Sequence, residues 1–373
     1  MRSLPTSLPV PVQVALLALA GFALRFVTYV AATGDADPGQ FIARMCAFDC
    51  AWYAGIVEAG YAPATGDWST PANWAFFPLY PLLVWLVKSA AFLPTVLAGA
   101  IVSSLCTIAA AIVARPWFRS NDAAWRLFAF CLFLGPASPV YSILYTEALF
   151  GLLTVLTLVA LGRGRFIEAG AWAALLSATR VTGIVMAVAI GVLFLHRIVT
   201  SARPLPEAIR DNRGLLLAAA VAPLGLVAYM AFLWLTVGDP LAFLHVQAAW
   251  ERVFQPPWIT LLQGIVELGQ PHRVTLEGTA YNVAMLLGLA LGGVLLIRGR
   301  VAEGAFCIGV MLVSMTAGTG SMVRFAAGLL PLGMLACEIL SRWRPTLILA
   351  YPAAAAIGTA ATWFWLHGQN WLV

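Results

Sequence analysis

Long apolar runs recur along the whole chain, and they restrict its fold more than any other feature. Eleven such runs predict helices, most of them near the roughly 20 residues needed to cross the hydrocarbon core of a bilayer. Hydrophobic residues make up 62% of the 373 residues, against ~45–50% in soluble domains. The sequence therefore predicts an all-α polytopic membrane protein, with residues 1–373 in a single integral membrane domain. The predicted spans are 11–32, 93–114, 124–141, 145–162, 167–179, 181–197, 214–237, 279–297, 303–319, 322–341 and 345–366.

Arginines between the runs define the predicted orientation, because basic residues favour the cytoplasmic side. Residues 77–92 either span the membrane or lie in its interface, and only an interfacial helix places every arginine cluster on one side. The N-terminus is then cytoplasmic and the C-terminus outside. Loops 33–92, with interfacial helices, and 238–278 also lie outside. The clusters are Arg2; Arg115, Arg119 and Arg126; Arg163 and Arg165; Arg197, Arg203, Arg210 and Arg213; Arg298 and Arg300; Arg342 and Arg344.

Composition also restricts the location and the partners. Lys88 is the only lysine among 21 basic residues, which is typical of a GC-rich bacterial genome and predicts the bacterial cytoplasmic membrane. The net charge of +5 reflects the basic residues that set the membrane topology, so nucleic acid is not an expected partner. The polar residues that topology does not explain concentrate in the outer loops. We therefore expect the chemistry on the periplasmic or extracellular face.

The stretch CAFDCAWYAGIVEAGY, residues 46–61, places an aspartate among aromatic residues. A helix over 45–59 would put Asp49 and Tyr53 on one face, directed toward an aqueous cavity. The alternative is an interfacial helix whose aspartate simply stays solvated. Cys46 and Cys50 are four residues apart, and the spacing leaves a metal pair, a local disulfide or neither open.

Three further stretches carry charged residues in apolar surroundings. Glu147, in YTEALF, lies at the outer end of a span, where either substrate binding or helix capping explains it. Arg180, in SATRVTG, interrupts an apolar run, and a cation at a helix break suits an anionic head group, although it can also snorkel to the interface. Arg324, in GSMVRFAAGLLPL, starts another span, so both arginines can reach one phosphate.

Aromatic residues cluster in two outer stretches. NWAFFPLYPLL, residues 73–83, contains Phe77 and Tyr80 beside two prolines, and it forms either an aromatic belt at the head-group level or a wall for a lipid tail or sugar. In GDPLAFLHVQAAW, residues 238–250, Gln247 and Trp250 are candidates for contacts with a sugar.

With these stretches in view, the chain resembles the PIG-V family of mannosyltransferases (GPI mannosyltransferase 2-like), a branch of the GT-C glycosyltransferases. The resemblance rests on FDCAWYAGIVEAGY, AFFPLYPLL, YTEALF, SATRVTG, DPLAFLHVQAAW and RFAAGLLPL in this order. The family usually has Trp-Asp where this chain has Phe48-Asp49. The resemblance implies a GT-C-type bundle of about 11 transmembrane helices and inverting transfer of mannose from a polyprenyl-phosphate donor on the non-cytoplasmic face. The acceptor, a GPI-anchor precursor in eukaryotes, is a lipid-linked or glycan acceptor here.

This chemistry assigns roles to the candidate residues. Asp49 is the expected general base, and Arg180 and Arg324 are expected to bind the donor phosphate. The sequence identifies no definite cofactor, and a divalent cation such as Mg²⁺ or Mn²⁺ stays an open alternative. A transporter or flippase of lipid-linked sugars is the competing class, and interrupted helices in matched positions would indicate it. The expected substrate-binding residues are Trp52, Tyr53, Glu58, Tyr61, Phe77, Tyr80, Glu147, Gln247 and Trp250.

Overall fold

The computed structural model describes residues 8–64, 67–252, 254–270 and 275–369, which form helices, short 3₁₀ turns and connecting loops without any β-strand. Arg2 lies outside these ranges. The helices are α1 (Val10–Thr33), α2 (Pro38–Met45), α3 (Cys50–Ala59), α4 (Leu79–Ala91), α5 (Thr95–Val113), α6 (Asp122–Leu134), α7 (Glu147–Gly162), α8 (Phe166–Ser177), α9 (Val185–Val199), α10 (Leu205–Asp211), α11 (Arg213–Val221), α12 (Leu224–Val237), α13 (Ala242–His245), α14 (Pro257–Leu268), α15 (Leu276–Ile297), α16 (Val301–Met315), α17 (Met322–Gly328), α18 (Leu330–Leu340) and α19 (Arg344–Leu366).

Helix length and hydropathy confirm the all-α membrane class. Within the described ranges, six helical segments are long and apolar enough to cross a membrane, or seven if α17 and α18 together form one span. The short apolar helices α4, α7, α8 and α16 fall below the length of a span. The count of about eleven spans is therefore not confirmed, because several predicted spans contain helices too short to cross a ~30 Å core alone.

Two predicted spans differ from the helices in the structure. The span 124–141 ends early, since α6 stops at Leu134 and Gly135, Pro136 and Pro139 lead into irregular turns up to Thr146. The span 322–341 is bent by 77° between α17 and α18, where Leu329 separates the helices and Pro331 is the second residue of α18. The second change lies beside the cavity of the candidate active site, which Arg324 and Phe325 of α17 line.

The predicted helix over 45–59 is also wrong, because the chain turns within it. The second helix ends at Met45, the third begins at Cys50, and Phe48 between them has a left-handed φ of 54°. A disulfide joins Cys46 to Cys50 across this turn. Asp49 therefore lies at the head of α3, rather than midway along a helix.

Helices α7 and α16 connect two chemically different ends of the bundle. At one end of α7, Arg163 lines a cleft with Arg119 and Arg300, which come from three of the predicted cytoplasmic clusters. Glu147 begins α7 at the other end, and Thr316, just after α16, lines a separate cavity there. The arginine-rich end and the cavity end are thus opposite ends of the same helices.

Candidate active site

Four charged side chains pair at the cavity end of the bundle. Arg324 Nη1 donates to Asp49 Oδ2 at 2.5 Å, and Arg180 Nη1 donates to Glu147 Oε1 at 2.6 Å. Arg324 Nε lies 3.5 Å from the same Glu147 oxygen. The side chains of Glu147 and Arg324 are 1% and 6% exposed, whereas Asp49 is 28% exposed. Asp49 is thus the more accessible of the two carboxylates in this network.

Helix ends and breaks bring these residues together. Glu147 is the first residue of α7, and Thr146 before it makes no side-chain capping bond. Arg180 has an extended backbone between α8 and the 3₁₀ turn at 181–184, as the interrupted apolar run predicts. Arg324 lies on the short helix α17, which follows Ser321 at a left-handed φ of 65°. The capping explanation of Glu147 is therefore weakened, since its carboxylate pairs with two arginines.

Tyr145 holds the segment that carries Asp49. Its hydroxyl accepts from the Asp49 backbone N–H at 2.9 Å and donates to the Ala47 carbonyl at 2.9 Å. Burial raises the pKa of Tyr145, so the phenol stays protonated and can donate. The Asp49 side chain makes no capping bond to α3, which leaves its carboxylate directed to Arg324.

A cavity of about 310 Å³ opens beside this network. Asp49, Arg180 and Arg324 line it together with Arg252, which follows the second aromatic stretch. Arg252 Nη1 donates to the neutral Gln247 Oε1 at 2.9 Å, and partial burial lowers the pKa of Arg252 without neutralising it at ordinary pH. Three guanidinium groups therefore face two carboxylates, which leaves one positive charge for an anionic ligand.

Aromatic rings form one wall of the cavity. Phe76 lines the cavity and stacks on Trp52 with ring centroids 5.6 Å apart. Trp250 meets the Trp52 ring edge-on at 5.7 Å, and Phe77 lines the cavity next to them. Aromatic faces of this kind suit the apolar face of a sugar ring or an isoprenoid chain.

The structure brings most, but not all, of the predicted site residues to the cavity. Glu147 lies behind the two arginines that it pairs with, and Trp52 lies behind Phe76. Glu58, Tyr61 and Tyr80 point elsewhere and do not line the cavity. The predicted residues that line it are Asp49, Tyr53, Phe77, Arg180, Gln247, Trp250 and Arg324.

The three predicted residues that point away from the cavity have other partners. Glu58 pairs with Lys88 and accepts from Thr95, and these contacts hold its pKa below the usual value. The Tyr61 hydroxyl donates to the Phe76 carbonyl at 2.7 Å. Tyr80 is buried, and its hydroxyl lies 2.7 Å from Ser103 Oγ. The Glu58 contacts join α3 to α4 and α5, the Tyr80 contact joins α4 to α5, and the Tyr61 bond lies within the first outer loop.

Many residues that line the cavity were not among the predicted site residues, and two of them are chemically informative. Arg252 is one, although a basic residue two positions after Trp250 in the outer loop is the kind of signal that could have identified it. Ser314 is the other, and its buried hydroxyl has no hydrogen-bond partner. Ser314 lies in an unbroken apolar run, so no sequence pattern distinguishes it.

The donor set does not fit a metal ion. Each of the two carboxylates is matched by a guanidinium, and across the described ranges no three His, Cys, Asp or Glu residues come together as a metal site. Cys46 and Cys50, the other candidate pair, are joined to each other.

The fold and the site define an all-α integral membrane protein with a charged, aromatic-walled cavity at one end. No family model matches the chain, and no curated protein matches it. Among solved structures, it is similar to the crystal structure of the Archaeoglobus fulgidus oligosaccharyltransferase in complex with zinc and sulfate, with a TM-score of 0.49 and 12% identity. The match covers 96% of this chain and 53% of that one, so this chain spans about half the length of that protein. A likeness this distant carries no inference about activity.

Proposed function

We propose that this protein is an inverting glycosyltransferase of the PIG-V type, which transfers mannose from a polyprenyl-phosphate donor to a lipid-linked or glycan acceptor. One observation carries the proposal. The six stretches on which the family resemblance rests are far apart in sequence, yet each contributes to one cavity or to the ion pairs beside it. Asp49 and Arg324, from the first and last stretches, are 275 residues apart in sequence and share a hydrogen bond.

In this mechanism Asp49 is the general base. It takes the proton from the acceptor hydroxyl while that oxygen attacks the anomeric carbon of mannose from the face opposite the phosphate. The bond between the anomeric carbon and the phosphate oxygen breaks, and its electron pair leaves with the polyprenyl phosphate. Asp49 is suited to this role because it lines the cavity and is the accessible carboxylate of the network.

The arginines stabilise the leaving phosphate. Arg180 and Arg324 are already neutralised by Glu147 and Asp49, so the unpaired charge of Arg252 first attracts the donor phosphate. A bound phosphate then competes for Arg324 and releases the Asp49 carboxylate to accept a proton. In this scheme the base becomes free only when the donor is bound.

The predicted orientation places this reaction on the outer side of the membrane. The clusters that the positive-inside rule assigns to the cytoplasm lie at the end of α7 opposite the cavity. The Cys46–Cys50 disulfide adjoins Asp49, and disulfides persist in oxidising compartments such as the periplasm. Two independent features thus support a periplasmic site in a bacterial cytoplasmic membrane.

Product analysis tests the proposal directly. Purified protein is incubated with polyprenyl-phosphate mannose and a membrane lipid extract, and the products are identified by mass spectrometry. A hexose added to a lipid or glycan by the wild-type protein, and not by Asp49→Asn, is the expected result. A parallel incubation with polyprenyl-phosphate glucose shows which of the two sugars the protein transfers. Absence of any transferred hexose in both incubations, with a folded protein that binds the donor, would refute the proposal.

A flippase of lipid-linked sugars is the second candidate, and the bent pair α17–α18 favours it. With the break at Arg180, two interrupted helices meet at the cavity, whereas the sequence alone indicates one. Discontinuous helices of this kind bind substrates in transporters. In proteoliposomes, a flippase would move the polyprenyl-phosphate sugar across the bilayer without forming a new glycosidic bond.

A further inference from the structure

Arg25 is a charged residue that the proposed chemistry does not use. It lies in the apolar helix α1, a candidate membrane span, and is only 5% exposed. Its Nη1 donates to the Phe133 carbonyl at 2.8 Å. No carboxylate in the described part of the chain forms an ion pair with it. A guanidinium has five N–H donors, so this single bond leaves most of its charge and donors unmatched.

Capping of the C-terminal end of α6 explains why Arg25 donates to the Phe133 carbonyl, but it does not explain why the donor is charged. Phe133 is the penultimate residue of α6, and its carbonyl is one of the last four, which lack partners within the helix. Gly21, one turn before Arg25, allows the two helices to approach, since a Cβ there would lie 2.3 Å from the Phe133 oxygen. A neutral donor would cap this carbonyl equally well. An unpaired buried cation in a span instead indicates a ligand or a functional path.

Arg25 lines a cavity of about 340 Å³ between α1, α2, α5 and α6. Most of its wall is apolar, and Phe41, Leu97 and Ile101 are examples. Phe22 and Leu105, on the spans α1 and α5, also line it and are 43% and 58% exposed. Because these two residues belong to helices that face the bilayer, the cavity opens sideways to lipid rather than to water.

The cavity is separate from the candidate active site. None of its lining residues also lines the Asp49 cavity. Its polar lining residues are Arg25, Ser104, Tyr141 and Ser142. The Tyr141 and Ser142 hydroxyls donate to backbone carbonyls, so Arg25 is the charged group of an otherwise mostly apolar space. The volume lies at the lower end of the roughly 300–1,000 Å³ of small-molecule sites, which is enough for part of a lipid.

We infer that this cavity binds an anionic membrane phospholipid, with its phosphate on Arg25 and the upper part of one acyl chain along the apolar wall. The cation requires an anion, the apolar wall requires a chain, and the lateral opening admits ligands from the bilayer. The site thus recognises a lipid by its negative head group, independently of any sugar transfer.

Native mass spectrometry of the full-length protein tests this inference. The protein is stripped of lipid in a neutral detergent and titrated with phosphatidylglycerol or with phosphatidylcholine of the same chains. We expect one saturable phosphatidylglycerol, bound at least about tenfold more tightly than phosphatidylcholine and not displaced by inorganic phosphate. Equal binding of the two lipids, or non-saturable binding only, would overturn the inference.

Three variants locate the site. Arg25→Gln keeps a donor for the Phe133 carbonyl but removes the charge, and it should abolish the preference for phosphatidylglycerol. Ala100→Phe fills the cavity from α5 and keeps Arg25, so it should also abolish saturable binding. Arg44→Gln is the matched control, because Arg44 is exposed on α2 outside the lining and should bind as the wild type does.

Folding of each variant is checked by its melting temperature. If Arg25→Gln does not fold, lipid binding by Ala100→Phe alone decides whether the lipid occupies this cavity. Unchanged selective binding in a folded Ala100→Phe protein would show that the lipid lies elsewhere and would overturn the assignment. The readout is lipid binding alone, so an inactive transferase would leave this result unaffected.

Discussion

Asp49→Asn is the substitution that most directly tests the proposed chemistry. The amide keeps the size of the side chain and can still accept from Arg324, but it cannot take a proton. A general base contributes roughly 10²–10⁴-fold to the rate, so turnover should fall to about 1% or below. Donor binding should be largely retained, because the loss arises in the transition state.

The structure also sets the effect of this substitution on stability. Removing one partner of a fully buried ion pair costs about 3–5 kcal/mol. Asp49 is 28% exposed, however, and Arg324 keeps Glu147 within 3.5 Å. The substitution removes only the negative charge from the hydrogen bond that Arg324 donates to residue 49. We therefore expect the free energy of unfolding to fall by about 1–2 kcal/mol. A protein otherwise stable enough to purify should remain folded.

The assay follows mannose transfer from polyprenyl-phosphate mannose, with donor affinity and melting temperature measured in parallel. Glu58→Gln is the matched control, because it removes another carboxylate from the same segment. The Glu58 carboxylate pairs with Lys88, away from the cavity. The turnover of this control should stay close to that of the wild type. Asp49→Glu should also be poor, since an added methylene moves the carboxylate by about 1 Å. If folded Asp49→Asn retained more than about a third of wild-type turnover, the assignment would fail and Glu147 would be tested next.

Three other predictions concern the surroundings of Asp49. Arg252→Gln should raise the KM for the donor about tenfold with little change in kcat, and Arg252→Lys should restore part of the loss; an unchanged KM would exclude Arg252 from phosphate binding. Replacing Cys46 and Cys50 together by serine should lower kcat severalfold and leave donor binding intact, because the turn that carries the base loses its cross-link; kinetics equal to the wild type would make the disulfide dispensable. A cysteine introduced at Thr70 should react with an impermeant thiol reagent in intact cells and one at Ser120 should not, and the reverse pattern would contradict the proposed orientation.

Much of the fold class followed from local patterns in the sequence. Apolar runs alone predict helices in a membrane, because every backbone polar group must be satisfied within its own segment there. The interruption at Arg180 was also predictable, since a charge within an apolar run disfavours a continuous span. The same reasoning failed at 322–341, because this mostly apolar run does not predict the 77° bend between α17 and α18.

Side-chain pairing, in contrast, depended on tertiary structure. The sequence identified Asp49, Glu147, Arg180 and Arg324 as unusual charges, but it assigned both arginines to a ligand. The fold also pairs each of them with a carboxylate and leaves Arg252 as the unmatched cation of the Asp49 cavity. No local pattern contains this information, because charges hundreds of residues apart interact only after the helices have packed.

The apolar runs and arginine clusters thus determined that the chain is a membrane protein of helices, since hydropathy and helix formation act over about 20 residues. Only the packed bundle decided which charges neutralise each other and which stay free for a ligand. Arg25 illustrates the difference. In the sequence it is one arginine within a long apolar run, and in the structure it is a buried cation that lines a mostly apolar cavity. Burial and the distance between charges determine their energies, and both are properties of the tertiary structure.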